Sequence, residues 1–163
     1  MNYSIRTVLD EDKDAILSIY NYYVENGFAV YREDQQGNEF FQGFKEIAKG
    51  YPFYVFVIPD NKVIGFAFLH SDRKEHSFNR VAGITYFISP DYTRKGIGRN
   101  LLETLINEAR KTGIETLLAS ISSKNRRSLN FHKKNGFREC GKFLRIGKKF
   151  GKDFDVVWMQ RFI

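Results

Sequence analysis

The residues best suited to chemistry form a short segment rich in glycine and positive charge. It follows an apolar run, residues 81–89, that ends at Pro90, and it opens a strong helical pattern. The N–H groups and the dipole at a helix start favour a bound anion, and glycines let the backbone approach phosphate closely. This pattern predicts a phosphate cradle, although a loop that only turns the chain would look similar. The segment consists of Arg94, Lys95, Gly96, Ile97, Gly98 and Arg99.

Two other phosphate-binding patterns do not fit the sequence. A dinucleotide fingerprint needs a third glycine at position 101, which is Leu101. A Walker loop needs Gly-Lys followed by Ser or Thr. The three Gly-Lys pairs, which begin at Gly141, Gly147 and Gly151, are followed by Phe, Lys and Asp.

A second candidate group is a polar stripe further along the chain. Asn125, Ser128 and His132 are spaced i, i+3 and i+7, which places them on one face of a helix. An imidazole can give and take protons near neutral pH. A solvated stripe with a capping histidine is the alternative interpretation.

Cysteine and histidine usage excludes other chemistry. Cys140 is the single cysteine, so an internal disulfide is excluded, and we expect it to be a small core residue. The three histidines, His70, His76 and His132, lack the spacing of a zinc site, so no metal is expected.

The 163 residues, 42% of them hydrophobic, are enough for one domain. Residue patterns predict strands at 5–8, 53–58, 63–69, 81–89 and 116–121, and two more flanking 147–151. Helices are predicted from a cap at Asp10 to 26–27, around 40–48, from 97 to about 111, and over 125–135. An antiparallel meander joined to a strand-helix-strand unit predicts an α+β domain.

Charge is distributed unevenly. Residues 1–93 hold 9 basic and 13 acidic side chains (net −4), whereas residues 94–163 hold 17 and 6 (net +11). The basic half could attract nucleic acid, an anionic membrane or a phosphorylated small molecule. No nucleic-acid-binding motif supports the first, and no apolar leader or span of about 20 residues supports a membrane protein, so a cytoplasmic location is expected.

The phosphate segment and the polar stripe together resemble the GCN5-related N-acetyltransferase (GNAT) superfamily. That superfamily has an (Arg/Gln)-x-x-Gly-x-(Gly/Ala) loop after its fourth strand. In this chain Thr93 occupies the first position of that loop, and Gly96 and Gly98 occupy the glycine positions. Its second motif is similar to the segment from Asn125 through His132 to Gly136-Phe137. The resemblance implies one domain over residues 1–163, with about seven mostly antiparallel strands and four helices, that uses acetyl-CoA as acyl donor.

Within the superfamily the chain looks most like the phosphinothricin and amino-acid N-acetyltransferase branch. That resemblance implies that the glycine-rich segment holds the pyrophosphate and that His132 protonates the departing thiolate. It implies that backbone groups of Tyr86, Phe87 and Ile88 pair with pantetheine and that Asn125 holds the pantetheine arm. Ser128 is also expected to bind the cofactor. It implies substrate contacts from Tyr31, Glu75 and Phe78.

The chain also departs from this branch. Gly83 stands where the branch has a glutamate proposed as general base, and Phe150 stands where it has a histidine. Glu75 and Phe78 replace an arginine and a tyrosine, and the reversed charge argues against a phosphinate substrate. The candidates left for the base are Glu25, Glu75, His76 and Tyr86.

The favoured hypothesis is therefore an acetyl-CoA-dependent N-acetyltransferase that acts on the primary amine of a small molecule, an amino acid or analogue, by direct attack. A catalytically silent acyl-CoA-binding module is the alternative, because Gly83 removes the usual base. The resemblance also suggests a homodimer.

Overall fold

The computed structural model describes residues 2–71, 73 and 75–163. In this part of the chain seven strands form one sheet in the order β1-β2-β3-β4-β5-β7-β6. The strands are β1 (Ser4–Thr7), β2 (Phe53–Ile58), β3 (Lys62–Ser71), β4 (Val81–Ile88), β5 (Thr116–Ser122), β6 (Arg138–Lys149) and β7 (Lys152–Phe162). The helices are α1 (Lys13–Glu25), α2 (Asn38–Ile47), α3 (Ile97–Lys111) and α4 (Arg126–Lys134). The expected α+β fold is confirmed.

Strand alternation divides the apolar residues between two cores. On one face of the sheet, Phe66 and Phe68 of β3 pack with residues of α1 and α2, and we call it the α1/α2 face. On the other, Ala67 and Leu69 pack with α3 and with residues of α4, and we call it the α3/α4 face. Each fully buried leucine or phenylalanine side chain contributes about 1.5–3 kcal/mol, so both helical layers are firmly held to the sheet.

The centre of the sheet is split. β4 and β5 are parallel neighbours over only three residue pairs, the last of which is Gly83 with Leu118. β4 nevertheless continues to Ile88 beside β3, and β5 continues beside β7 as far as Ser122. Beyond Gly83 the two strands therefore part and leave a wedge-shaped gap, which opens toward the start of α3.

Two local expectations are wrong. The cap expected at Asp10 is replaced by a single 3₁₀ turn, Asp10–Asp12, and the Asp12 carboxylate accepts from the Leu9 amide (2.8 Å) and from Arg6 (2.7 Å). Burial opposes ionisation of Asp12, but these bonds outweigh it and lower its pKa. Cys140 is exposed on β6 rather than buried, because consecutive residues of this edge strand face solvent.

Within residues 2–71, 73 and 75–163, no helix combines the length and the apolar character needed to cross a membrane.

Candidate active site

One wall of the gap is the backbone of β4. The Ser89 amide donates to the Ile64 carbonyl of β3 (2.8 Å), and backbone groups alternate in direction along a strand. The backbone of Phe87 therefore also points toward β3, away from the gap. The alternate residues direct their N–H and C=O groups into the gap, and these are Ile84, Tyr86 and Ile88.

The side chains of β4 extend to opposite faces. The ring of Phe87 packs on the α1/α2 face against Tyr20 and Tyr23. The Tyr23 hydroxyl donates to the Ile88 carbonyl (2.7 Å), which fixes the end of β4 to α1. Of the three residues predicted to offer backbone groups to a pantetheine arm, the structure brings Tyr86 and Ile88 to the gap, and it turns the backbone of Phe87 away.

Tyr86 and His132 form a bonded pair on the α3/α4 face of the gap. The Nδ1 of His132 lies 2.8 Å from the Ser128 carbonyl, which can only accept, so Nδ1 carries the hydrogen. Nε2 then has the lone pair and accepts from the Tyr86 hydroxyl at 2.7 Å. The two rings also stack, with centroids 5.6 Å apart.

Burial determines the protonation of this pair. His132 is only 3% exposed, and burial lowers its pKa, which the bond to Ser128 partly opposes. Burial raises the pKa of Tyr86 well above its ordinary value. Near neutral pH the imidazole is therefore uncharged and the phenol keeps its proton. The mobile proton of the pair resides on Tyr86.

The start of α4 positions the rest of the polar stripe. Asn125 is the N-cap, and its Oδ1 accepts from the Ser128 amide at 3.2 Å. The Nδ2 of Asn125 is the donor that remains for a ligand. The Ser128 hydroxyl lies 3.3 Å from Nδ1 of His132. The three residues of the stripe thus lie together, as their spacing predicted, and Asn125 also has a structural role.

The glycine-rich segment forms the start of α3. Gly96 is the N-cap with φ 80°, and the first intrahelical donor is the Arg99 amide, which bonds the Gly96 carbonyl at 3.1 Å. The amides of Ile97 and Gly98 precede this donor and point out of the helix end. A β-carbon at Gly98 would lie 3.3 Å from the Phe131 ring, so glycine lets α3 approach α4 closely.

The basic side chains of this segment surround the helix start. Arg94, Lys95 and Arg99 are all exposed, and Lys95 Nζ lies 5.0 Å from the centre of the Tyr92 ring. Thr93, at the position of the family's Arg or Gln, donates its hydroxyl to the Pro90 carbonyl (2.8 Å). Its side chain is therefore used within the turn, and the positive charge comes from its neighbours.

Tyr31 lies on the α1/α2 face beside the gap. Its hydroxyl is 3.1 Å from Oγ of Ser120 on β5, and its ring stacks on Phe154 of β7 with centroids 5.4 Å apart. Burial raises the pKa of Tyr31, which the bond to Ser120 partly opposes. The phenol therefore stays protonated near neutral pH and can donate to a ligand or to Ser120.

A buried lysine, which the sequence analysis missed, holds this region together. Lys149 is 0% exposed, and its Nζ donates to the Val30 carbonyl (2.8 Å) and more weakly to the Tyr23 carbonyl (3.4 Å). Nearby, the Glu33 carboxylate accepts from the Phe150 amide (2.5 Å). The α1–α2 connection is thereby tied to the β6–β7 turn. No sequence signal distinguishes Lys149 from its exposed neighbours.

The β3–β4 connection holds the other two predicted substrate contacts. Glu75 is exposed at the start of a single 3₁₀ turn, His76–Phe78. Phe78 is 40% exposed, with the Arg73 guanidinium 5.2 Å from its ring centre. Phe78 also lines a shallow groove with Val81, Leu118, Gln160 and Phe162. Leu118 is the sheet partner of Gly83, so this groove begins where the gap closes.

Comparisons with known proteins identify relatives of this chain in sequence and in structure. The model of the acetyltransferase (GNAT) family matches residues 16–137. The chain is 32% identical to an L-methionine sulfoximine/L-methionine sulfone acetyltransferase of Pseudomonas aeruginosa, covering 98% of this chain and 94% of that one. It is 33% identical to an L-amino acid N-acyltransferase of Escherichia coli, covering 96% and 92%. The crystal structure of a phosphinothricin acetyltransferase from Sinorhizobium meliloti in complex with acetyl-CoA has a TM-score of 0.92 at 29% identity, covering 100% and 89%.

Proposed function

The chain belongs to the acetyltransferase (GNAT) family and is an acetyl-CoA-dependent N-acetyltransferase of a small amine, and from this premise we propose its acceptor and the roles of its residues. The acceptor is an amino acid or a close analogue, as the names of the relatives indicate. The observation that carries the proposal is the parting of β4 and β5 beyond Gly83, because it leaves one edge of β4 without a partner strand beside an anion-binding helix start.

The donor lies along the gap. Its pyrophosphate accepts from the amides of Ile97 and Gly98, with Arg94, Lys95 and Arg99 supplying charge around the α3 start. Its pantetheine arm follows the backbone of Tyr86 and Ile88, like an added strand. Asn125 donates from Nδ2 to the arm, and Ser128 lies one turn further along the same helix face.

The acetyl transfer is a direct attack. The lone pair of the neutral amine forms a bond to the thioester carbonyl carbon, and the carbonyl electrons move to oxygen. When this adduct collapses, the C–S bond breaks, the sulfur gains a proton and the nitrogen loses one. We assign the proton for sulfur to the Tyr86 hydroxyl, which His132 holds in place, and Tyr86 regains a proton from the nitrogen.

The acceptor binds on the α1/α2 face. Tyr31 offers a hydroxyl beside Ser120, and Phe78 offers an apolar wall at the closed end of the gap. The exposed carboxylate of Glu75 favours the ammonium end of an amino acid and disfavours a phosphinate. Among analogues we therefore expect uncharged side chains, such as that of methionine sulfone, to be preferred over phosphinothricin.

The test is a free-thiol release assay with acetyl-CoA against amino acids, methionine sulfone, methionine sulfoximine, phosphinothricin, polyamines and aminoglycosides, beside calorimetry with CoA. We expect CoA binding and turnover with one or more amino acids or their uncharged analogues. Turnover confined to polyamines or aminoglycosides would refute the acceptor class. Absence of CoA binding would refute the placement of the donor.

We also propose that two copies of the chain associate through β6. This edge strand exposes three large apolar side chains, Phe143 (55%), Leu144 (72%) and Ile146 (60%). An exposed apolar edge strand favours pairing with another chain. Light scattering should give a dimer mass, and Leu144→Glu should give a monomer. A monomeric mass for the unaltered protein would refute this part of the proposal.

A further inference from the structure

His70 occupies the space above Gly83. The two residues are direct partners across β3 and β4. A β-carbon at position 83 would lie 2.6 Å from Nε2 of His70 and 2.8 Å from its Nδ1, much closer than atoms can approach. The imidazole therefore fills the position that any side chain at residue 83 would need. Glycine at 83 and histidine at 70 form one complementary arrangement.

The hydrogen bond of His70 orients its ring nitrogens. Nδ1 lies 3.2 Å from the carbonyl oxygen of Ser71, which can only accept. Nδ1 therefore carries the hydrogen in the neutral ring, and Nε2 holds the lone pair. His70 is only partly buried, so a proton taken up at Nε2 can pass on to water.

This lone pair is located at the closed end of the gap. Gly83 forms the last parallel pair before β4 and β5 part, and five residue steps of about 3.3 Å separate it from Ile88 near the phosphate cradle. An extended arm bound at that cradle and directed along β4 therefore points toward His70, about 16 Å away along the strand.

His70 also lies on the face that the acceptor must use. Because side chains alternate along a strand, His70 points to the same face of β3 as Phe66 and Phe68, which lie in the core of the α1/α2 face. Its ring centre is 6.0 Å from that of Phe68. Tyr31 lies on the same face, whereas Tyr86 and His132 lie on the opposite one. The two imidazoles therefore flank the gap from different sides.

Three of the four bases considered from the sequence are less suited to this position, and the fourth, Glu75, is assigned above to binding the ammonium end of the acceptor. The carboxylate of Glu25, the last residue of α1, accepts from Gln35 at 2.5 Å. His76 pairs with Asn79 at 3.3 Å within the β3–β4 connection. Tyr86 is assigned to donate a proton to sulfur, and burial raises its pKa, so the phenol is protonated near neutral pH and offers no base.

We propose that His70 is the general base that makes the acceptor amine nucleophilic, which rests on the function proposed above. Nε2 removes one proton from the ammonium group, and the electron pair of that N–H bond becomes the lone pair that attacks the thioester carbon. The resulting imidazolium releases its proton to water after the transfer. Gly83 removes the usual general base of the family, but the absence of a side chain there leaves room for the imidazole of His70, which takes the role of the base.

The first test compares His70→Ala with the unaltered enzyme, using the best amino-acid acceptor of the panel. Loss of a general base should lower kcat by roughly 10²–10⁴-fold while the dissociation constant of CoA stays unchanged. Added imidazole should restore part of the rate, because the space above Gly83 becomes available.

A low-basicity acceptor that is already neutral, such as O-methylhydroxylamine, should be acetylated by His70→Ala and by the unaltered enzyme at similar rates. His76→Ala is the matched control and should keep full activity.

A second test relocates the base. Gly83→Glu alone should be damaging, because its β-carbon collides with His70, whereas His70→Ala with Gly83→Glu places a carboxylate in the vacated space. The double variant should regain at least a tenfold higher kcat than His70→Ala. Unaltered kcat in His70→Ala, or equal losses with basic and neutral acceptors, would overturn this inference. Absence of turnover in the unaltered enzyme would instead count against the proposed function itself.

Discussion

The hydroxyl of Tyr86 donates to Nε2 of His132 across 2.7 Å, although the two residues are 46 positions apart in the chain. The bond joins β4 to α4 beneath the gap, and the Ser128 carbonyl fixes its direction by holding the hydrogen of Nδ1. The resemblance to known acetyltransferases predicted His132 as the proton donor to sulfur. We propose instead that Tyr86 is the donor and that His132 positions it, because the hydroxyl of Tyr86 carries the proton of the pair.

Replacing Tyr86 by Phe tests this assignment. The ring, its stacking on His132 and its edge-to-face contact with Phe131 are kept, but the proton offered to sulfur is lost. We expect kcat to fall by roughly 10²-fold or more with the CoA dissociation constant unchanged, as measured by thiol release and calorimetry. An unchanged kcat would show that sulfur takes its proton from another group.

His132→Gln is the companion variant. A glutamine amide oxygen can accept from Tyr86 and so preserve its orientation, and we expect a smaller loss of kcat than in Tyr86→Phe. If His132 itself protonated sulfur, the order would be reversed. The ranking of the two variants in the same assay therefore distinguishes the two roles.

The buried His132 should also make the stability of the fold depend on pH. Its pKa is lowered by burial, so below the ordinary histidine range, about 6.5, the unfolded chain binds more protons than the native one. The free energy of unfolding should therefore be constant above this range and fall as pH drops from about 7 to 5. Each unit of pKa depression corresponds to about 1.4 kcal/mol. Urea unfolding at both pH values measures this loss.

Two histidine variants isolate that contribution. His132→Gln removes the buried imidazole and should flatten the pH dependence, although its stability at pH 7 will be lower. His76→Gln changes an exposed histidine in the β3–β4 connection and should leave the dependence as in the unaltered protein. Equal slopes in all three proteins would contradict the assignment to His132.

The glycines at the two ends of α3 provide a matched pair for testing the phosphate cradle. Gly96 (φ 80°) and Gly113 (φ 79°) have nearly the same left-handed backbone, and neither would bring a β-carbon within 4 Å of another group. Alanine at either position should cost about 1–2 kcal/mol of stability. Only Gly96→Ala should also weaken CoA binding, as measured by calorimetry, because only Gly96 caps the helix end that faces the gap. Equal CoA affinities in the two variants would refute the cradle.

The features that could be predicted from the sequence depend on local chemistry. The turn at Gly96 and the stripe from Asn125 to His132 follow from residue type and spacing, since a helix start and a helix face are set within a few residues. The helix over 97–111 and the strands β2 and β3 can be predicted for the same reason. The cap at Asp10 was misplaced because Asp12, two residues later, is the one that Arg6 reaches from β1.

The features that could not be predicted depend on how distant strands align. The gap exists because β4 and β5 pair over three residues and then part, and no local pattern encodes that register. The same holds for His70, which looked like one of three scattered histidines until β3 placed it against Gly83. The sequence shows that residue 83 has no side chain, but only the pairing of β3 with β4 shows that His70 fills the space above it.

The burial of Lys149 leads to the last prediction. Its Nζ donates to the carbonyls of Val30 and Tyr23, and Val30 immediately precedes Tyr31 on the acceptor side of the gap. Lys149→Met keeps most of the side-chain volume but leaves both carbonyls without this donor, so we expect a loss of about 1.5–3 kcal/mol in stability. Because Tyr31 is then less firmly placed, KM for the acceptor should rise while the CoA dissociation constant stays unchanged. Lys152→Met, at an exposed lysine that begins β7, should alter neither stability nor KM. An unchanged acceptor KM in Lys149→Met would show that Tyr31 does not depend on this tether, or that it does not contact the acceptor.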